Sequence, residues 1–168
     1  NEYNSLCFLA QNGIMNLYPQ MENSFTISMK WIQNCQKPQL DSQQELEFLS
    51  SQLAKYLKKL HSVSFEKYCK YITHEDLFAD NILYCTETDS LYFIDWGLSQ
   101  HRDSVYPDIA SAAMGIFNKT PRHYFNFLKN YFEDTGNIDF KEIETYINQA
   151  YRNYYHIRNH NNFETDSL

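Results

Sequence analysis

The stretch HEDLFADN, His74 to Asn81, carries an imidazole, three carboxylates and a carboxamide in eight residues, and Asp95 follows after two short apolar runs. That set of side chains suits phosphoryl transfer. The reaction needs a carboxylate beside the attacking hydroxyl to accept its proton, and oxygen ligands that hold Mg²⁺ against nucleotide phosphates. Asp76 would supply the first, and Asn81 and Asp95 the second. An acidic site cannot hold a triphosphate unaided, so Mg²⁺ would be the charge bridge to ATP. Singly, Asp76 could cap a turn and Asn81 could start a strand. The joint spacing is what carries the chemistry. A carboxylate at the end of an apolar strand, as at Asp95, is costly to bury unless something positive meets it.

The elements that must position these groups follow from periodicity. Ile82-Leu83-Tyr84 and Leu91-Tyr92-Phe93-Ile94, around the polar turn Thr86 to Ser90, predict a β-hairpin whose ends lie side by side. The hairpin therefore returns Asp95 toward Asn81, in an Ile-Asp-Trp-Gly run where Gly97 is free to take an unusual backbone conformation. Upstream, Glu2 to Asn12 predicts a short helix ended by Gly13. Leu17 to Met21 and Phe25 to Ile32 predict a strand pair around Glu22-Asn23-Ser24. Ser42-x-x-Glu45 is a capping-box pattern, and Leu46, Leu49, Leu53, Leu57 and Leu60 follow at helical spacing. His61 is expected at the end of that helix, compensating its dipole. Downstream, Pro107-Asp108 opens a helix through Phe117, and Thr120-Pro121 caps another that Gly136 stops. Asp139-x-x-Glu142 starts a last long helix through Tyr154, frayed beyond about Asn159. Trp96 is assigned to the core, and Glu75 and Asp80 to the solvated face of the loop.

The 168 residues fit one folded domain, with 43% hydrophobic and 17% aromatic residues. Between Tyr71 and Ala110, eight acids (Glu75, Asp76, Asp80, Glu87, Asp89, Asp95, Asp103, Asp108) face one base, Arg102, so this segment holds the whole net charge of −7. Such a patch repels phosphate backbones, which excludes nucleic acid as a direct partner and favours divalent metals and cationic substrates. Glu87 and Asp89 are read as solvated surface. No stretch reaches the length of a membrane span, and no signal-peptide pattern opens the chain. Cys7, Cys35, Cys69 and Cys85 form no C-x-x-C pair, so free thiols in a reducing compartment, the cytoplasm, are expected. His156 and His160 stand at i and i+4 with no third metal ligand nearby and are assigned to the surface.

HEDLFADNIL, then YFIDWG, then YPDIA is similar to the H-x-D-x4-N, I-D-[WF] and D-[IL]-A run of the aminoglycoside phosphotransferase and choline kinase superfamily, relatives of the protein kinases. The resemblance covers most of the chain. It implies an α+β, protein-kinase-like fold, with a predominantly helical C-terminal lobe, a catalytic-loop hairpin, and a remnant of the N-terminal lobe. Residues 1–34 would be that remnant, with helix, two strands and hinge, and residues 35–168 the catalytic lobe. By the same resemblance Asp76 is the catalytic base, Asn81 and Asp95 are Mg²⁺ ligands, and His74 is a structural residue of the loop. Asp108 is the acid that supports the loop from a helix N-terminus. Met29, Lys30, Trp31 and Ile32 resemble the hinge whose backbone binds adenine.

Departures from the pattern select among branches. Protein kinases carry Arg after the His and Lys two residues after the Asp, where this chain has Glu75 and Phe78. Only Leu98 to Pro107 separates Asp-Trp-Gly from Asp108, and no Ala-Pro-Glu occurs, so a full activation loop does not fit. A small-molecule kinase is the better match, although Phe78 replaces the His common in aminoglycoside kinases and Gly97 the Glu of many relatives. The acidic, aromatic-rich segment suits an amine-bearing alcohol such as choline, ethanolamine or an aminoglycoside. The resemblance also implies a phosphate-covering loop and a strand lysine paired with a helix Glu. Neither precedes the first helix, and Glu2 is equally a helix Glu without its lysine or a first-turn acid. The chain is therefore expected to be a truncated or split protein, with a complementary N-terminal segment as its partner and weak ATP binding alone. The alternatives are a catalytically silent, kinase-derived binding module, and a carboxylate-pair hydrolase using Asp76 and Asp95, which leaves Asn81 and Asp108 without a task.

Overall fold

The computed structural model describes residues 2–14, 19–23, 26–28, 34–85, 87–88, 90–133 and 136–161. The expected hinge, Met29, Lys30, Trp31 and Ile32, lies outside them, as do Asp89 and the side chains of His156 and His160. The first helix, α1 (Glu2–Gln11), ends as its glycine dictates: Gly13 has φ +60°, and the Ile14 amide closes back on the Leu9 carbonyl at 2.9 Å. Strands β1 (Gln20–Asn23) and β2 (Thr26–Ser28) pair antiparallel with an irregularity between Met21 and Asn23. Glu22 and Asn23, expected in the turn, belong instead to the first strand. Ladder hydrogen bonds use the backbone and extend into polar residues regardless of side chain.

The long helix α2 (Gln43–Tyr68) starts where the capping box places it, with the Ser42 hydroxyl accepting from the Glu45 amide. Leu46, Leu49, Leu53, Leu57 and Leu60 are fully buried and form the centre of the core. The helix continues well past His61, which is mid-helix and buried rather than terminal. Its stop is Cys69 at φ +52°, a left-handed cap made without glycine and therefore invisible to a search for one. Helix α4 (Pro121–Phe132) packs along α2, and α5 (Phe140–Asn161) along α3 (Tyr106–Gly115). Proline sits in the first turn of α3 and of α4. Thr120 makes no side-chain cap, and its buried hydroxyl has no partner among the described residues, so the α4 start rests on Pro121 rather than on the threonine. At α5 the Asp139 carboxylate accepts from the Glu142 amide at 3.0 Å, whereas Glu142 takes its hydrogen bond from Ser104.

The expected hairpin is present as β5 (Ile82–Cys85) and β6 (Ser90–Phe93), with Ile82 opposite Phe93 and Cys85 opposite Ser90. Two further pairings escaped the sequence. Strand β3 (Cys35–Gln36) adds antiparallel to β5, and β4 (Tyr71–Thr73) pairs with β7 (Gln100–Arg102). These strands of two or three residues are too short for a period to show. The β4–β7 pair brackets the segment from His74 to Ser99 and fixes both of its ends together.

Glycine is required at one helical position. A Cβ on Gly115, at the end of α3, would collide with the Leu77 carbonyl and stand 3.0 Å from Phe78 Cα. Gly115→Ala is expected to cost about 1–3 kcal/mol by forcing α3 away from the loop, measured as a lower urea midpoint. An unchanged midpoint would contradict that close approach.

Candidate active site

The HEDLFADN loop is held from below by α3. Asp108, fully buried in the first turn of that helix, accepts the backbone amides of His74 and Glu75 at 2.8 Å each on Oδ1. On Oδ2 it takes His61 Nε2 at 3.0 Å. Ser111, one turn along the same helix, accepts the Leu77 amide at 2.7 Å. His61 reaches Tyr131 of α4 through Nδ1 at 2.6 Å, so α2, α3 and α4 converge on one carboxylate. Burial first, then the Asp108 charge, holds the Tyr131 hydroxyl well above the ordinary phenol range, so it stays protonated and donates to His61. Sequence reasoning missed His61 and Ser111, because each is an ordinary helix residue until its partner is seen.

His74 is buried, with its ring 4.5 Å from that of Trp96. Its Nε2 lies 3.0 Å from the Ile94 carbonyl, an acceptor only, and its Nδ1 accepts the Asp76 amide at 3.3 Å. That arrangement requires the neutral ring protonated at Nε2. The imidazole thereby joins the start of the loop to the end of β6. Trp96 is in the core, its indole donating to the Phe93 carbonyl at 2.8 Å.

Around the loop the candidate groups come together. Asn81 Nδ2 donates to the Asp76 carbonyl at 2.9 Å and to Asp76 Oδ2 at 2.7 Å. The Ile94 amide donates to the Asn81 carbonyl at 3.0 Å, which places Asp95 one residue from that contact. Asp95 is exposed, and it rather than Gly97 has the left-handed backbone, with φ +58°. The Ser99 amide on the Trp96 carbonyl closes the turn that follows it. A left-handed non-glycine residue of this kind marks a place where geometry is imposed from outside the residue.

Glu75, at φ +65°, does not face water. It is half-buried, and both its oxygens take Arg102, Oε1 from Nε at 2.6 Å and Oε2 from Nη2 at 2.8 Å. This hydrogen-bonded pair raises the Arg102 pKa and ties the loop to β7. Asp80 is exposed, with Lys37 at 2.6 Å. Glu2 accepts the Trp96 amide at 3.4 Å, and Ser5 meets Ser99 at 2.7 Å, so α1 is anchored beside the segment carrying Asp95. Tyr124 donates to the Ile109 carbonyl and is structural.

The donor set fits Mg²⁺. Asn81 commits its amide nitrogen to Asp76, which leaves its Oδ1 without a partner among the described residues, and the Asp95 carboxylate likewise has none there. Gly97 offers the space beside Asp95, since a Cβ there would lie 3.3 Å from Oδ1. Oxygen-only ligation by one or two side chains, completed by phosphate and water, is what Mg²⁺ accepts. No group of three or more His, Cys, Asp or Glu placed so as to hold a metal ion by themselves occurs among the described residues.

Comparison with solved structures decides the fold. A choline kinase from Streptococcus pneumoniae superposes with a TM-score of 0.66 over 85% of this chain and 65% of its own, at 16% identity. The chain has the fold of choline and ethanolamine kinases. A choline/ethanolamine kinase family protein from Mesorhizobium loti gives 0.61 over 79% of this chain and 60% of its own at 14% identity, and an ethanolamine kinase from Plasmodium vivax gives 0.55 over 84% and 59% at 16%. This chain thus spans about two thirds or less of the length of those kinases. No protein-family model matches the sequence, and no curated protein is significantly similar to it. The shared fold is the helical C-terminal lobe of the kinase with part of its β structure. No helix among the described residues is long and apolar enough to cross a membrane.

Three tyrosines, Tyr131 buried and Tyr56 and Tyr124 half-buried, give the fold a distinct alkaline behaviour. Burial pushes the hydroxyls of Tyr56, Tyr124 and Tyr131 above the ordinary range. In the unfolded chain they ionise near pH 10, as model tyrosine does. Above that pH the unfolded state binds fewer protons than the folded one, so stability falls as pH rises and is unaffected below it. Absorbance at 295 nm is expected to show a late class of tyrosines that ionises together with loss of the circular dichroism signal. Titration of every tyrosine with the fold intact would contradict this.

Proposed function

We propose that the protein carrying this chain transfers the γ-phosphate of ATP to a hydroxyl of a small, amine-bearing alcohol of the choline, ethanolamine or aminoglycoside type. The observation that carries the reading is the linked set Asp76, Asn81 and Asp95, joined by the Asn81 amide on one side and by the Ile94–Asn81 backbone bond on the other. Asp76 has one carboxylate oxygen pinned by Asn81 and the other without a partner among the described residues. The free oxygen accepts the proton of the acceptor hydroxyl as its oxygen attacks phosphorus. Asn81 and Asp95 would hold Mg²⁺ through Oδ1 and the carboxylate. Bound there, the ion neutralises phosphate charge in a segment that is otherwise strongly acidic. His74 and Asp108 position the loop, and Met29, Lys30, Trp31 and Ile32 are proposed as the adenine-binding hinge. The division into residues 1–34 and 35–168 belongs to the same proposal, as does a cytoplasmic setting, which suits four cysteines outside any disulfide.

The acceptor class rests on charge: the segment of eight acids and one base attracts a cation. The test is Mg²⁺-dependent ATP consumption by the full-length protein against a panel of amino alcohols, aminoglycosides and neutral sugars. Stimulation by a cationic alcohol supports the reading, and stimulation by neutral sugars alone overturns the acceptor class. Absence of stimulation by any acceptor favours the silent, kinase-derived binding module.

A further inference from the structure

None of the four cysteines is in a disulfide, and two of them face one another. Cys35 and Cys85 are direct partners in the antiparallel pairing of β3 with β5, and their side chains are within hydrogen-bonding reach of one another. Facing residues of an antiparallel pair have Cα atoms about 4.5–5.5 Å apart, inside the roughly 4.4–6.8 Å range that a disulfide spans. The alignment is reinforced just beyond the strands, where Asn34 Nδ2 donates to Glu87 Oε1 at 2.5 Å. Cys7 and Cys69 have no such partner: Cys69 caps α2 at the surface, and Cys7 lies on α1.

We propose that Cys35 and Cys85 are a peroxide-oxidisable pair that closes into a reversible cross-strand disulfide, stapling β3 to the hairpin strand that leads out of the catalytic loop. The step balances with hydrogen peroxide as oxidant. The Cys85 thiolate attacks one peroxide oxygen, the O–O bond breaks, and hydroxide leaves and takes up a proton as water. The Cys35 sulfur then attacks the Cys85 sulfenic sulfur, the S–O bond breaks, and the second oxygen departs as water with the Cys35 proton. Two thiols lose two electrons, and one peroxide becomes two waters. The division of roles follows the surroundings of each sulfur. Hydrogen bonds from the Thr88 side chain and backbone lower the Cys85 pKa, favouring its thiolate. Burial, then the hydrogen bond with Cys85, pushes Cys35 up to about 11, which gives it the resolving role, although Cys85 is the more buried of the two at 4% exposure and peroxide must reach it past the half-buried Cys35. The staple would join the segment ahead of α2 to the strand that begins immediately after Asn81.

The test needs no catalytic activity, so its failure leaves the phosphotransfer reading untouched. The reduced full-length protein is treated with hydrogen peroxide, alkylated and mapped by peptide mass spectrometry. The expected result is joint loss of alkylation at Cys35 and Cys85, a linked peptide between them, and full recovery with dithiothreitol, while Cys7 and Cys69 stay alkylated. In Cys35→Ser, Cys85 is expected to accumulate as a dimedone-reactive sulfenic acid. Urea-unfolded chain is expected to lose the selectivity. Oxidation of Cys69 before the pair, intermolecular dimers as the main product, or Cys85 losing its thiol while Cys35 remains alkylatable would overturn the proposal.

Discussion

Asp76→Asn in the full-length protein is expected to lower kcat by about 10²- to 10⁴-fold, the usual contribution of a positioned general base. The fold should be unaffected. Three contacts tie residue 76 to His74 and Asn81, its backbone amide on His74 Nδ1, its carbonyl under Asn81 Nδ2, and one side-chain oxygen that accepts from the same Nδ2, while the Phe78 amide also donates to its carbonyl. Asparagine keeps all three and removes only the basic oxygen. The loss should therefore appear equally in kcat and kcat/KM, as for an interaction made only in the transition state. Turnover within a few-fold of the natural protein, with the fold intact, would remove Asp76 from the chemistry.

The largest effect on stability is expected at Asp108. Its carboxylate is fully buried and satisfies two backbone amides and one imidazole, drawn from the loop and from α2. Asp108→Ala strands three donors at once. Breaking a buried network of this kind costs about 3–5 kcal/mol, because the partners left behind can reach neither water nor a substitute. Glu75 at φ +65° would also lose the bond that holds its amide, so the loop itself should relax. Asp108→Asn, which keeps one acceptor oxygen, should fall between alanine and the natural protein. Urea unfolding followed by circular dichroism measures both. An alanine variant as stable as the natural chain would mean that the loop is held by other bonds.

Much of the geometry of the candidate site was legible because its groups are close in sequence. His74, Asp76 and Asn81 lie within eight residues, and the hairpin between Asn81 and Asp95 shows in two apolar runs around a polar turn. The start of α2 was legible in Ser42 and Glu45 for the same reason, since a cap is made by residues three apart. Features that depend on distant partners were not legible. His61 and Asp108 are 47 positions apart, and Glu75 meets Arg102 only because β4 and β7 pair. Glu75 thus passes for a solvated acid until the fold supplies its cation. The end of α2 was hidden because Cys69 adopts a conformation that normally signals glycine. At the turn after β6 the converse holds: Gly97 drew notice as the permissive residue, while Asp95 carries the positive φ.

The most direct test of the phosphotransferase account follows the phosphorus itself. Full-length protein, ATP, Mg²⁺ and a mixture of amino alcohols are observed by ³¹P NMR, beside Asp95→Ala under the same conditions. The account predicts a phosphomonoester resonance that grows in step with ADP and is absent from the Asp95→Ala sample. ADP appearing only with inorganic phosphate, or a phosphomonoester formed as fast without the Asp95 carboxylate, would contradict it.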